Sequence, residues 1–307
     1  EQKKLEEIVG SPAAQRRVMV KEIEADAKTF GDARRTLIQE EKKAVAEVKV
    51  IDEPVTVVIS QKGWARARSG HGHDASSFAF KSGDDLYGTF ECRTVDQLIV
   101  FGTNGRVYSV PVAALPGARG DGQPITTFID LESGTQPAHY FAGPTNATLL
   151  LSGSGGYGFL ASVEALVSRN KGGKGFISLS DGENVCAPSH VSGSSATASA
   201  EKPALPAATH VCCASVAGRI LTFDIAELKS MEKGGRGLML IDLEAKDQLA
   251  GAAAYTRSVR ISGVGRGGKA RDEMLEIRSL NNAKAARAKK GKVADLGFKP
   301  SGVQRVE

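Results

Sequence analysis

The chain has 307 residues, and 41% of them are hydrophobic, enough to fill the core of one large domain or two smaller ones. No run approaches the roughly 20 apolar residues of a membrane-spanning helix, so we expect no membrane association. The first ten residues lack the apolar segment of a signal peptide. The chain begins with Glu1 instead of Met, and we expect a fragment of a longer protein.

The net charge of +5 is unevenly distributed along the chain. Residues 1–50 hold 11 Lys/Arg and 10 Asp/Glu, residues 51–256 hold 16 and 20, and residues 257–307 hold 13 and 5, which gives +1, −4 and +8. A local basic excess of this size is typical of a surface that contacts a polyanion. The alternative is a disordered basic tail, which we place at 281–307, overlapping the last part of the folded domain.

The four cysteines are Cys92, Cys186, Cys212 and Cys213, and none of them has C-x-x-C spacing. This usage predicts reduced, packed thiols in a cytosolic protein, with a redox role as the less favoured alternative. Because side chains alternate along a strand, adjacent Cys212 and Cys213 are expected on opposite faces.

The first 50 residues predict a helical arm. Leu5, Ile8 and Val9 have helical spacing up to Gly10, and a second helix follows. Ser11 is a good N-cap before Pro12 at the first helical position, and Gly31 suits the C-terminal end. The alternative is a solvated helix tethered to an absent part of the protein.

The rest of the chain, 51–300, predicts a repeated β-structure. In the best copy, Leu98–Phe101 and Val107–Val110 are β-prone runs around Thr103-Asn104-Gly105, a typical hairpin turn. Similar hairpins recur near Val55, Ala147, His210 and Ser258, with turn glycines predicted at Gly63, Gly105, Gly155, Gly218 and Gly265. Five copies at roughly 40–50 residues are typical of a propeller-like array, so the fold class is all-β. The Ser/Ala/Pro-rich stretch 192–206 predicts an inserted flexible loop.

Each of the middle copies has a second half that follows a basic, glycine-rich loop. Ile125–Leu131, Phe176–Leu179 and Leu238–Leu243 read as strands, preceded by RGDGQ at Arg119, KGGKG at Lys171 and KGGRG at Lys233. Glycine lets backbone N–H groups approach an anion while the cations neutralise it, so such loops suit phosphate contact. Ring geometry would place equivalent loops on one rim.

Several segments resemble the C-terminal part of bacterial type IIA topoisomerase A subunits, in particular those of topoisomerase IV. They are VKEIEADAKTFGDARRT from Val20, VTVVISQKGWARARSGHG from Val55, GYGF from Gly156 and LVSRNKGGK from Leu166. The resemblance implies that the arm ends a DNA-cleavage core. It also implies a β-pinwheel of about five blades that exchange strands, with a DNA-bending outer rim. The implied function is presentation of duplex DNA to an ATP-dependent strand-passage core for decatenation and relaxation during chromosome segregation.

One departure separates the chain from gyrase subunits, whose first blade carries a QRRGGKG-type box. Here the corresponding loop is RSGHGHDASS, 68–77, and the nearest box-like sequences lie at 169–175 and 233–237. This favours a topoisomerase IV-type domain over a gyrase DNA-wrapping domain. A protein-interaction propeller is the alternative from another function class, because the acidic middle section would suit a basic partner.

The candidate DNA-binding residues are the cations of these loops and of the first and last hairpins. If a ring closes its first copy against its last, cations of both copies form a joint surface. The predicted contacts are Lys62, Arg66, Arg68, Arg119, Arg169, Lys171, Lys174, Lys233, Arg236, Arg260, Arg266, Lys269 and Arg271.

The sequence predicts no catalytic, ATP or metal site in this chain. There is no GxxxxGK[ST] loop, and Tyr255 follows Ala254 where the resembled family has Arg before its catalytic Tyr. His71-Gly72-His73-Asp74 is read as a flexible loop and not as a metal site. The resemblance implies that the complete enzyme needs Mg and ATP, pairs with an ATPase B subunit of topoisomerase IV, forms an A-subunit homodimer through the missing core, and is cytoplasmic and nucleoid-associated.

Overall fold

The computed structural model describes residues 1–32, 50–117, 120–192 and 207–306. The chain forms two compact units, Glu1–Val48 and Lys49–Glu307. The predicted loop at 192–206 lies, after Ser192, outside the described residues. No helix of the described ranges is long and apolar enough to cross a membrane.

The first unit contains the two predicted helices, α1 (Gln2–Gly10) and α2 (Pro12–Phe30). The Ser11 side chain accepts a hydrogen bond from the Ala14 N–H, and Gly31 follows the last turn, so the predicted caps are confirmed. Neither helix buries a residue, and Ile23 and Phe30 are 67% and 80% exposed.

The second unit contains five antiparallel sheets, which we call blades 1 to 5. Two short helices, α3 (Val163–Leu166) and α4 (Ile277–Asn281), lie in the connections. The strands are β1 (Pro54–Ser60), β2 (Trp64–Ser69), β3 (Leu86–Arg93), β4 (Gln97–Gly102), β5 (Arg106–Pro111), β6 (Gln123–Pro124), β7 (Pro137–Gly143), β8 (Thr148–Gly153), β9 (Tyr157–Ser162), β10 (Lys174–Gly175), β11 (Ser189–Ser192), β12 (His210–Ser215), β13 (Arg219–Asp224), β14 (Leu238–Met239), β15 (Leu249–Tyr255), β16 (Ser258–Gly265), β17 (Ala270–Glu276), β18 (Lys292–Val293) and β19 (Phe298–Val306).

Each blade is built around a hairpin whose first strand also pairs with a third strand that comes later in the chain. The sheet orders are β3-β1-β2-β6, β7-β4-β5-β10, β11-β8-β9-β14, β15-β12-β13-β18 and β19-β16-β17. The predicted all-β fold with five copies is confirmed. The turn glycines with positive φ include Gly63, Gly105 and Gly218 as predicted, but Gly156 instead of Gly155, and Gly267 and Gly268 instead of Gly265, which ends β16.

The fourth strand of blades 1 to 4 is exchanged between neighbours, as the family resemblance implies. Each one is a two-residue strand from the connection between the second and third strands of the next blade; β6, for example, leaves blade 2 and pairs with β2. We call β6, β10, β14 and β18 the crossing strands. The predicted strand Ile125–Leu131 is therefore wrong in extent, because Ile125–Thr127 forms a 3-10 turn that buries Ile125.

Hydrophobic clusters fill the four interfaces between successive blades. Cys213 belongs to the interface of blades 3 and 4 and Cys212 to that of blades 4 and 5, which confirms their opposite orientations. All four cysteines are buried and free, and burial raises the pKa of the Cys92 thiol to about 12. In the described part of the chain no such cluster joins blade 5 to blade 1, so the expected joint surface of the first and last hairpins finds no support in the packing.

The blades have an inner and an outer edge. Third strands of neighbouring blades contact each other, as β3 does with β7 and β15 with β19. Phe141 of β7 stacks on His190 of β11 with ring centroids 6.1 Å apart. Because the third strands converge, they form the inner edge, and the crossing strands at the opposite side of each sheet form the outer edge.

The segment predicted as a basic tail is built into the blades. Lys292–Val293 is the crossing strand of blade 4, and β19 pairs with β16 along the length of blade 5. Leu296 and Val303 are buried in the interface of blades 4 and 5. The physical reason is that this segment supplies the apolar side chains and strand edges that the last two blades need.

Candidate nucleic-acid interface

The loops that lead into the crossing strands share one geometry. We call them the crossing loops: 120–122, 171–173, 233–237 and 288–291. In the second loop Gly173 has φ +59°, and a Cβ there would lie 2.3 Å from the carbonyl oxygen of Val107 in β5. Glycine is required here because one blade's backbone crosses directly over its neighbour's strand. The same close approach to a strand carbonyl occurs at Gly122, Gly237 and Gly291.

Three of the four crossing loops carry exposed lysines along the outer edge, whereas the first, 120–122, carries Asp121. Lys171 and Lys233, both predicted DNA contacts, are exposed. Lys289 and Lys290 in the loop 288–291 and Lys292 at the start of β18 lie at the corresponding place beside blade 4, and all three are exposed. Sequence reasoning assigned these three to a tail; the signal it missed is the Gly291-Lys292 pair, which repeats the Gly173-Lys174 pair at the start of a crossing strand.

Arg66, a predicted DNA contact, is buried in blade 1 and bonds to groups within the protein. It is only 7% exposed. Its guanidinium donates to the carbonyl oxygens of Gly120 at 2.6 Å and Ala79 at 2.8 Å, and it lies over the rings of Phe78 and Phe80. These contacts hold the first crossing loop and the β2–β3 connection on blade 1.

Arg236 is also engaged within the protein. Its guanidinium donates to both carboxylate oxygens of Glu183, at 2.7 and 3.1 Å, and lies 4.3 Å from the ring centre of Tyr157. Burial on its own raises the pKa of Glu183, but hydrogen bonds from the Ser180 N–H and from Arg236 lower it overall below its ordinary value. Blades 2 and 4 have ion pairs at the corresponding glutamates, Arg106–Glu132 at 3.0 Å and Arg219–Glu244 at 2.9 Å, but there the arginine begins the second strand of the blade's own hairpin.

Two further predicted contacts are half-buried. The Lys174 ammonium donates to the Val167 carbonyl oxygen at 2.9 Å, and burial lowers its pKa. The Arg68 guanidinium lies 5.7 Å from the ring centre of Phe78 and lines a groove of about 470 Å³ with Arg66 and Asp121.

The remaining predicted cations are exposed, apart from Arg119, which lies outside the described residues. Arg260 faces Asp272 at 3.6 Å, so part of its charge is neutralised on blade 5. The structure gathers Arg266, Lys269 and Arg271 at the β16–β17 hairpin. The others that face solvent are Lys62, Arg169, Lys171 and Lys233.

The residues considered for a metal site or for catalysis are His71, His73 and Tyr255. His71 donates to the Cys92 carbonyl oxygen at 2.8 Å and His73 to that of Ser69 at 2.9 Å. Across the described ranges no three His, Cys, Asp or Glu side chains are grouped to hold a metal ion. Tyr255 is fully buried in blade 4, and burial raises its pKa to about 12, which opposes a role as a nucleophile.

The comparisons with known proteins agree with this architecture. The family model of the DNA gyrase C-terminal domain, a beta-propeller, matches residues 96–133, 147–187 and 209–255. The A subunit of DNA topoisomerase 4 from Neisseria gonorrhoeae is 38% identical over 96% of this chain, and that from Pseudomonas aeruginosa is 31% identical over 97%. The chain spans 37% and 39% of the length of these relatives.

Solved structures match over most of the chain. The E. coli ParC C-terminal domain superposes with a TM-score of 0.66 at 28% identity, covering 82% of this chain and 98% of that one. A DNA gyrase A C-terminal domain, at 16% identity and a TM-score of 0.55, shows the same fold. The chain belongs to the family of C-terminal β-pinwheel domains of bacterial type IIA topoisomerase A subunits. Within that family, the relatives from Neisseria gonorrhoeae and Pseudomonas aeruginosa are A subunits of topoisomerase IV, the group that the sequence resembles.

Proposed function

We propose that this chain is the DNA-binding and DNA-bending domain of a topoisomerase IV A subunit. It holds duplex DNA along the outer edge of its blades, mainly through phosphates, and presents it to the strand-passage core for decatenation and relaxation. The observation that carries the proposal is the row of lysines in and directly after the crossing loops, from Lys171 and Lys233 to Lys289, Lys290 and Lys292. Equivalent loops recur at one edge of successive blades, so the cations beside blades 2, 3 and 4 follow a track along that edge.

The ion pairs within the protein reduce the number of cations that are available to bind DNA. Glu132, Glu183 and Glu244 neutralise arginines of blades 2 to 4. The lysines of the crossing loops therefore carry most of the available positive charge there. Lysine ammonium groups neutralise phosphates without reading bases, so these contacts are non-sequence-specific. The first blade lacks the QRRGGKG-type box of gyrase subunits. This supports a domain that bends DNA and not one that wraps it tightly.

We expect DNA cleavage, relaxation and ATP hydrolysis to require other parts of the complete enzyme. We expect the chain alone to cleave no DNA, relax no plasmid and hydrolyse no ATP, because Tyr255 is buried and no phosphate-binding GxxxxGK[ST] loop is present. In the complete protein the arm would join the cleavage core of an A-subunit homodimer, with an ATPase B subunit, Mg and ATP, in the cytoplasm at the nucleoid.

The experiment is a fluorescence-anisotropy titration of a labelled duplex at several salt concentrations. For phosphate contacts the logarithm of the association constant falls linearly with the logarithm of the salt concentration, with a slope of about −0.9 per contact. We expect this behaviour with little difference between unrelated sequences of similar base composition. Binding that ignores salt, or no binding, contradicts the proposal and favours the protein-interaction propeller.

A further inference from the structure

The hairpin turns of blades 1 to 4 are covered by the next blade along the chain. In each one the carbonyl oxygen of the turn glycine accepts a hydrogen bond from a backbone N–H just after a crossing strand. The bonds are Ile125 to Gly63 at 2.9 Å, Ile177 to Gly105 at 2.9 Å, Leu240 to Gly156 at 2.7 Å and Ala294 to Gly218 at 2.9 Å.

The hairpin of blade 5 has no following blade to cover it. Gly265 at the base of its tip pairs with Phe298 of β19, and the turn itself is closed by hydrogen bonds from the Gly265 N–H to the Lys269 carbonyl oxygen at 2.9 Å and from the Gly268 N–H to the Gly265 carbonyl oxygen at 3.1 Å. A Cβ built on Gly267 or Gly268 would find no atom within 4 Å. The tip is therefore a narrow backbone turn that projects into solvent.

The tip region is strongly basic. Arg266, Lys269, Arg271 and Lys299 are all exposed, and none of them forms a salt bridge with a described residue. The acidic residues of this hairpin are Asp272, Glu273 and Glu276, all on β17. Asp272 forms an ion pair with Arg260 at 3.6 Å. Arg266 and Lys299 flank an open concavity of about 610 Å³ beside the tip.

We propose that the blade 5 hairpin inserts Arg266 into the minor groove of the duplex held by the crossing loops; this rests on the function proposed above. The minor groove is about 6 Å wide, which admits a guanidinium next to two glycines but not a broad element. Narrow A·T-rich minor grooves have an enhanced negative potential that attracts arginine. Arginine and lysine can also bond to guanine in the major groove, so a preference for A·T-rich over G·C-rich duplexes distinguishes insertion into the minor groove. Lys269 and Lys299 then contact the flanking phosphates.

The test compares binding of an A-tract duplex and a G·C-rich duplex of equal length by the whole chain and by two charge-conserving variants. Arg266→Lys changes the inserted group, and Arg271→Lys makes the same chemical change on the stem of the hairpin. We expect the unaltered chain and Arg271→Lys to prefer the A-tract duplex several-fold. Arg266→Lys should lose this preference while keeping its salt slope, and netropsin should compete with the unaltered chain more strongly than with Arg266→Lys.

If the unaltered chain binds both duplexes equally and Arg266→Lys has no effect, Arg266 does not enter the minor groove. Arg266 would then contact only phosphates. That result keeps the salt-dependent binding of the proposed function. Loss of all salt-dependent binding in the unaltered chain would instead overturn the proposed function, and the inserted arginine with it. Because Arg266 is exposed at a turn, neither variant removes a contact of the folded core.

Discussion

Arg66 carries its charge inside blade 1, where its guanidinium bonds to two carbonyl oxygens and covers two phenylalanine rings. We expect Arg66→Ala to lower the free energy of unfolding by about 2 kcal/mol, because two charge-assisted hydrogen bonds and packed stem atoms are lost. Urea denaturation followed by circular dichroism measures this. The salt slope of DNA binding should stay unchanged, and a slope that falls by one unit without loss of stability would show that Arg66 contacts phosphate after all.

The ion pair between Glu183 and Arg236 makes a contribution to stability that depends on pH. The pKa of Glu183 in the folded protein is lowered, so its ion pair with Arg236 contributes stability above the unfolded pKa near 4.5 and loses it as the pH falls through the folded value. We expect Glu183→Gln to be less stable than the unaltered chain at about pH 6, with the difference shrinking towards about pH 3. A difference that is constant with pH would mean that the carboxylate charge is not what Arg236 requires.

The close approach of each crossing loop to a neighbouring strand explains why the loop contains glycine. Gly173 and Gly172 are adjacent, but only Gly173 has a positive φ and a strand carbonyl beside it. We expect Gly173→Ala to destabilise the fold by at least about 1–3 kcal/mol, because backbone strain adds to a steric clash. Gly172→Ala is the matched control, with open space around its Cβ.

Both variants should also be titrated with DNA after their stability is known. If the glycines served mainly to let backbone N–H groups approach phosphate, Gly172→Ala would weaken DNA binding as much as Gly173→Ala. We expect Gly172→Ala to match the unaltered chain in both thermal unfolding and DNA affinity.

The sequence predicts much of each element but not how the elements are exchanged or which charges are used internally. Hairpins such as that of Asn104-Gly105 follow from local turn chemistry, and the helix caps at Ser11 and Pro12 likewise. The exchange of crossing strands came only from a family resemblance, since a two-residue strand has no periodicity of its own. Charge patterning identified basic loops but could not show that Arg66 and Arg236 face carbonyl and carboxylate oxygens within the protein.

At the scale of the whole molecule, the end of the chain completes blades 4 and 5. Deletion from Asn281 onward removes β18 and β19 and with them Leu296 and Val303 of the interface between these blades. We expect the deleted chain to lose cooperative unfolding of that region and to expose hydrophobic surface, measured by calorimetry and by binding of a hydrophobic dye. A deleted chain with the same melting curve would mean that this segment is a dispensable tail.

The central claim is that the lysines of the crossing loops hold DNA by its phosphates, and one measurement tests it most directly. It is the salt slope of duplex binding by Lys289→Ala/Lys290→Ala/Lys292→Ala beside that of the unaltered chain. The control removes the same charge from exposed positions of α1 and α2, Lys3→Ala/Lys4→Ala/Lys21→Ala. We predict that the loop variant loses about 2 to 3 units of slope, roughly 0.9 for each phosphate contact, and that the control loses none. Equal slopes for all three proteins would contradict the account.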